Sequence, residues 1–467
     1  MKPPIAPIGL DYIAEAVAEA GHEVRILDLC FSEDMESDIQ RGINSFHPDV
    51  IGISIRNTDD CYFTGRDFFV PGVAEIVRII KTDADAPIVL GGVGFSTSPE
   101  QIMRRVGADY GIPGDGEEIL VAFLDAMTAG RDPADVPGVL ALRNERITGR
   151  RIDPSQKILL CRTRKFVDNR RYFIEGGQGG VETKRGCGMD CIYCADPVAK
   201  GRTWRLLPPE AVVTELRSLV DQGIDYFHTC DSEFNLPENH AKAVCEAMIA
   251  AGLGDRITWY AYCAPSPFSS ELAVLMRRAG CVGIDFGVDS ADDEQLRRLG
   301  RHHRSEDLAR TADLCRREGF SFMFDLLIGG PGESEDSVRR TIENVKRIGP
   351  SCVGTAIGVR VYEGTQLAKM VRSEGPIARN PALHGATESN DSFLEPIFYL
   401  SPDVGLGVFD LVEDLIAGDE RFFLASRSAP DRNYNYNDNT ILVQAIRAGE
   451  RGAYWDILRR IRKQGGE

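Results

Sequence analysis

No stretch of about 18 consecutive apolar residues occurs in the chain, so the sequence predicts no membrane-spanning helix. The opening MKPPIAPIGLDYIAEAV has neither the basic start nor the apolar run of a secretory signal, and a cytoplasmic location is expected. Positive charge is in deficit. With 54 Lys and Arg against 71 Asp and Glu the net charge is −17, which argues against the clustered basic surface that a nucleic-acid partner needs. Two short basic stretches, RHHR at 301–304 and RRIRK at 459–463, read as solvated helix ends. No G-x-G-x-x-G opens the first helical segment, so a dinucleotide is not indicated. Sequence repeats and low-complexity tracts are absent too. A small-molecule substrate is favoured, with no nucleic acid and no membrane.

What is present is a long soluble chain with alternating patterns. At 467 residues two or three domains are expected. Over 1–130, VRILDL (24–29), VIGISI (50–55), PIVLGG (87–92) and DYGIPG (109–114) read as parallel strands between helical segments. Leu10, Ile13 and Val17 share one helical face that Gly21 ends, and 73–80 is a second helix. This is the rhythm of a doubly wound α/β domain. Such a domain should open on a strand, which in flavodoxin-like order lies mid-sheet, yet few residues precede the first helix. The expectation is that Met1 lies downstream of the native start. A longer chain with the same stability and cofactor content would remove it.

Residues 131–180, with strand-like VPGVLALR and the Gly-rich EGGQGG, read as a linker. Strands follow at 181–186, 224–230, 257–263, 282–288, 321–328 and 353–361, with helices at 209–221, 238–251, 269–279, 292–299, 305–318 and 335–347. Six βα units spaced by roughly 30 residues predict a parallel, partial (β/α)6 barrel over 181–370. Residues 371–467 lose the alternation and read as a small, mainly helical cap.

Most of the 12 cysteines stand singly in apolar surroundings and read as buried thiols, such as Cys245 and Cys281. The stretch ETKRGCGMDCIYCADP differs. Cys187, Cys191 and Cys194 fall within eight residues, and the nearest others are Cys161 and Cys230. A zinc site wants a fourth Cys or His at similar spacing, and none is there. A C-x3-C-x2-C loop after a strand suits three irons of a [4Fe–4S] cube and leaves the fourth open to a small molecule.

This loop, with aromatic Tyr193 before its last Cys, resembles the hallmark of the radical S-adenosylmethionine superfamily. The resemblance extends over roughly 181–366 through HTCDSEFN (228–235), GIDFGVDS (283–290), LIGGPGES (327–334) and GVRVYEGT (358–365). It implies that the methionine amine and carboxylate of S-adenosylmethionine chelate the open iron. It further implies cofactor contacts from Tyr193, Glu233 with Asp231 second, Asp289, Ile328, Arg360 and Tyr362. An external electron donor of flavodoxin or ferredoxin type is also implied.

Beside such a barrel, PPIAPIGLDYIA, IGISIRN, PIVLGGVGFS and GADYGIPGDGE resemble the cobalamin-binding domain of the superfamily's class B members. The resemblance implies corrin contacts from Ile8, Asn57, Gly91, Gly92, Gly94, Phe95, Ser96, Gly114, Gly116 and Glu117. No D-x-H-x-x-G motif occurs, so cobalamin bound without a protein His is implied, with Arg56 over its lower face. LEPIFYLSP (394–402), RNYNYNDN (432–439) and GERGAYWDIL (449–458) also have parallels in this class, and Tyr434, Tyr436, Asn435 and Asn437 are candidates for the substrate pocket.

The function implied is a cobalamin-dependent methyltransferase acting on a carbon of a small molecule. The tail and the IRN loop point towards the tryptophan 2-C-methyltransferase-like branch. A cyclase or ring-rearranging enzyme with the same cofactors is the alternative. A tRNA methylthiotransferase would carry a second cysteine set and a basic C-terminal module, neither of which is visible. A cobalamin-binding regulator would not need the 187–194 loop.

Overall fold

The computed structural model describes residues 3–153, 163–424 and 439–465. The amino-terminal sheet runs Ile51–Ser54, Ile88–Gly91 and Tyr110–Gly111 in parallel, then Leu140–Arg143 and Arg146–Thr148 antiparallel. The last two form a hairpin inside the span expected to be linker. Asn144 and Glu145 close it with φ of 49° and 65°, as a two-residue turn of the right twist demands. The hairpin covers the open edge of the short strand Tyr110–Gly111. Residues 24–29, by contrast, are in no ladder, and Leu29–Phe31 turns as a short 3-10 helix. Among the described residues no strand runs beside this segment, so apolar content alone leaves it unpaired.

The second sheet has seven parallel strands: Gly179–Val181, Tyr226–Thr229, Thr258–Cys263, Cys281–Asp289, Ser321–Ile328, Cys352–Ile357 and Phe422–Leu424. They are called the first to seventh barrel strands below. The first six stand beside one another in chain order, each followed by helix, which makes a partial barrel. The seventh comes from the span expected to be cap. Helix bounds follow local chemistry. Ser334 caps Glu335–Ile348 at one end and Gly349 at φ 71° ends it; Gly319 at φ 75° ends Ser305–Glu318. Phe286, Phe322, Phe324 and Leu326 face these helices in the main core.

The helices Thr440–Arg447 and Tyr454–Gly465 seal the amino end of the barrel. Trp455 lies edge-on to Tyr260 at 6.0 Å, and the Tyr260 hydroxyl donates to Asp456 Oδ2 at 2.9 Å. They make a floor, not a lid over the carboxyl ends where ligands gather. No helix among the described residues is long and apolar enough to cross a membrane.

Buried ion pairs join the two sheets. Arg164, wholly buried, reaches Asp11 at 3.0 Å and Glu215 at 2.5 Å, and Tyr12 donates to Glu215 at 3.0 Å. Arg185 meets Glu117 at 2.7 Å, and Arg205 pairs with Asp115. These contacts turn the carboxyl edge of the first sheet towards the mouth of the barrel.

Candidate active site

The cysteine loop leaves the first barrel strand and is held by backbone bonds from both sides. Cys187 N–H donates to Gly201 O at 3.0 Å and Ile192 N–H to Leu299 O at 3.1 Å. Gly300, at φ 74°, sits so close that a Cβ there would stand 2.4 Å from Asp190 O. The turn 299–301 is thereby pressed against the loop, and it delivers Arg301.

Arg301 is the residue that sequence reasoning missed. It begins RHHR, read as a solvated end, yet its side chain is 6% exposed. Its Nη1 donates to Cys191 Sγ at 3.1 Å and its Nη2 to Gly287 O. Glu233 Oε1 lies 3.7 Å from Nη2 and Asp289 Oδ2 lies 3.4 Å from Nε. Tyr193 donates its hydroxyl to Asp289, which an irregularity in the fourth strand places at φ 60°. Cys191, Arg301, Glu233, Asp289 and Tyr193 therefore form one network at the mouth. Burial pushes Glu233 up to about 7, with Arg301 pulling it down.

Cys187 is buried, and Cys191 and Cys194 are half-buried. Burial pushes the Cys187 thiol up to about 11 and raises Cys191 and Cys194 as well; at Cys191 the Arg301 charge opposes it. Thiols raised in this way keep their protons near neutral pH unless a metal replaces them, so the donor set fits iron. Among the described residues no three His, Cys, Asp or Glu groups converge on one ion. Three thiols offered to three separate irons need no such convergence.

The other expected cofactor residues have protein neighbours of their own. Asp231 spends its carboxylate on Thr183 N and Oγ1 and on Lys184 Nζ, at 2.8, 2.6 and 3.1 Å. Arg360 holds Asp59 at 2.9 Å and the carbonyls of Phe393 and Leu394. It joins the loop after the first sheet's opening strand to the barrel. Tyr362 lies under that guanidinium at 4.5 Å, and its hydroxyl is 2.9 Å from Cys61 Sγ. Ile328 is fully buried at the end of the fifth strand.

At the edge of the first sheet, Gly92 and Gly94 would drive a Cβ to 2.5 Å from Ile55 O and 2.9 Å from Arg56 backbone. Ser96 accepts from Gly114 N–H at 2.8 Å and donates to Gly92 O at 2.8 Å. Loops 55–57, 91–96 and 114–116 are thus one stitched platform. Phe95 is fully buried in the core beneath it, Gly116 abuts Ile13, and Glu117 is paired to Arg185. Gly91 closes its strand, and Ile8 touches Gly180 at the junction with the barrel. What the platform shows outward is Arg56 and Val93, both exposed, with Asn57 half-buried. A flat macrocycle fits such a surface, and no histidine stands on these loops to ligate its metal. Tyr434, Tyr436, Asn435 and Asn437 lie outside the described residues.

Three buried histidines make the fold sensitive to acid: burial lowers His240 below the ordinary imidazole value, and two others more strongly. His228 and His303 are each lowered to about 4, chiefly by burial. The unfolded chain takes up protons first, near 6.5, so stability is full above that value and falls as pH drops from 6.5 towards about 4. His228 and His303 each remove up to about 3 kcal/mol. Urea unfolding at pH 7.5 and pH 5 should show the loss, and His228→Gln should remove part of it.

Comparison with known proteins agrees with this geometry. Residues 181–345 match the radical SAM superfamily and residues 2–124 the B12 binding domain. The chain is 29% identical to tryptophan 2-C-methyltransferase of Streptomyces laurentii over 97% of its own length and 94% of the relative. It is 27% identical to a methyltransferase of Pyrococcus horikoshii, PH0819, over 77% of each chain. The radical S-adenosylmethionine methyltransferase TsrM of Kitasatospora setae, solved with tryptophan and a S-adenosylmethionine analogue, superposes with a TM-score of 0.92 at 30% identity, covering 100% of this chain and 98% of that one. With a B12-type platform facing a three-cysteine barrel, the chain belongs to the cobalamin-binding branch of the radical S-adenosylmethionine superfamily, as an enzyme.

Proposed function

We propose that this enzyme transfers a methyl group from S-adenosylmethionine, by way of cobalamin, to a carbon of a small aromatic molecule, with an indole such as tryptophan the first candidate. The observation that carries the reading is the placement of the Cys187, Cys191 and Cys194 loop and the 55–57, 91–96, 114–116 platform at facing ends of two joined sheets. The indole is supported by full-length similarity to two proteins named for, or solved with, tryptophan. When bound, cluster and cobalamin supply the electron and the methyl relay.

The chain's own part is to hold and to exclude. Cys187, Cys191 and Cys194 would ligate three irons and leave the fourth for S-adenosylmethionine. Glu233 and Asp289 are the charged groups that Arg301 balances and ties to the cysteine loop, and they would meet the bound cofactor. Arg56, exposed on the platform, would face the macrocycle, and the platform loops offer no histidine to its metal. An external flavodoxin- or ferredoxin-type donor completes the reading.

The test is anaerobic reconstitution with iron, sulfide and hydroxocobalamin, then incubation with a reductant, S-adenosylmethionine and tryptophan. S-adenosylhomocysteine with a methylated indole is the expected outcome. 5′-Deoxyadenosine without S-adenosylhomocysteine would replace methyl transfer by cyclisation or rearrangement. Arg56→His puts an imidazole where the chain has none, so the visible spectrum of bound cobalamin should shift. An unchanged spectrum removes Arg56 from the cobalt face.

A further inference from the structure

Between the floor and the cysteine loop the barrel has a layer that nothing above uses. Side chains alternate along a strand. Ile284, Phe286 and Val288, like Phe322, Phe324 and Leu326, pack outward in the main core, so Asp285 and Asp325 point into the lumen. Tyr262 is in register with Asp285, and the His228 ring lies 4.4 Å from the Tyr262 ring. Tyr262 is 44% exposed although it sits inside the sheet, so this layer is open. The floor of Tyr260, Met323 and Trp455 lies just below.

The layer is rich in acceptors. Asp285 is 3% exposed, and its Oδ1 has no hydrogen-bond partner among the described residues. Burial, then Asp325 and Glu233, raises it well above the carboxylate range. The nearby cations are engaged: Arg301 on Cys191 and Asp289, Lys184 on Asp231 and Phe234 O. A second observation comes from the other side. His228 Nδ1–H donates to Thr229 O at 2.8 Å, which leaves Nε2 as an acceptor on a neutral ring. His228 and Asp285 are two strands apart, roughly 10 Å.

We propose that this layer seats the acceptor substrate and selects an aromatic ring bearing an ammonium group, with Asp285 and Asp325 taking the ammonium, Tyr262 the ring face and His228 Nε2 a ring N–H. The proposal rests on the methyl-transfer reading for its occupant and names the chemistry of that occupant. An arriving cation takes the place of the proton that Asp285 otherwise keeps, so carboxylate and ammonium satisfy one another in a dry site.

The experiment is equilibrium binding to the cluster- and cobalamin-loaded enzyme with matched probes. Tryptamine and indole-3-propionate share ring and chain and differ in the charged end. Tryptamine should bind ~100-fold more tightly, and Asp285→Asn should remove that preference while leaving indole-3-propionate within ~3-fold. Asp325→Asn should weaken tryptamine by ~10-fold and serves if the first variant does not fold. N1-methyltryptamine should lose ~10-fold, and equal affinity would take His228 out of the site. No preference for tryptamine, or a preference that survives both Asp variants, overturns the proposal. If tryptophan is methylated while the variants bind as the parent does, the methyl-transfer reading stands and this site falls. If indoles fail to bind but phenethylamine binds and loses ~100-fold in Asp285→Asn, the site stands and the indole reading falls.

Discussion

Cys191→Ala should abolish the proposed methyl transfer, and the visible absorbance of the reconstituted cluster should go with it. The loop itself should survive the change. It is fixed by Cys187 N–H on Gly201 O, Ile192 N–H on Leu299 O and the close seat of Gly300 against Asp190, and none of these bonds uses the Cys191 side chain. What the substitution deletes is the middle thiol of three and the acceptor of the Arg301 bond at 3.1 Å. A cube held at two corners is labile, so iron should fall well below about four per chain. Circular dichroism and the thermal midpoint of the metal-free protein should stay close to those of the parent. Cys245→Ala is the control, because that thiol is buried in the main core on the helix Glu238–Ala250. It should cost stability and leave the iron count unchanged. Full cluster content and activity in Cys191→Ala would end the reading of this loop as the metal site.

The features that can be read along the chain share one physical property: their causes are local. A proline that opens a helix or a glycine that follows it fixes bounds within a residue or two, which is why 209–221, opened by Pro209, and 305–318, ended by Gly319, coincide with the helices found. The cysteine spacing is local as well, since one loop must wrap one cube. Features that depend on a partner far along the chain are hidden. Arg301 stands in RHHR, a composition that suits solvent, and it is buried only because Gly300 lets the turn close on Asp190. Residues 24–29 have the apolar content of a strand but no neighbour to pair with. Phe422–Leu424 is three residues long, too short to show a period, and becomes a strand because the sixth barrel strand offers it an edge. Asp231 and Arg360 have the right chemistry for a cofactor, yet Thr183, Lys184 and Asp59 engage them. Glu233 rather than Asp231 stands with Arg301 for a reason that exists only in three dimensions.

Arg301→Gln should lower methyl transfer by ~100-fold, and the manner of the loss identifies the role of the guanidinium. Glutamine keeps a donor near Cys191 and removes the charge. Glu233 and Asp289 then face each other and the cluster thiolates without a cation, and a carboxylate left alone in a buried site costs about 3–5 kcal/mol. The protein escapes part of that cost by protonation. Glu233 is already raised to about 7 by burial, with Arg301 opposing, so removing Arg301 moves it higher. Ionised Glu233 is then scarce near neutral pH. If the carboxylate form serves the reaction, activity of the variant should recover as pH rises above the parent's optimum, and the alkaline shift should be absent in Arg301→Lys. A second readout is independent of turnover. A positive donor on a cluster sulfur favours the reduced cluster, so its loss should move the midpoint potential to more negative values. A residue that only braces the turn 299–301 would lower the thermal midpoint and leave both the pH profile and the potential where they were. That pair of null results would reduce Arg301 to packing; a shift in both makes it the group that sets the charge balance between the cysteine loop and the carboxylates at the barrel mouth.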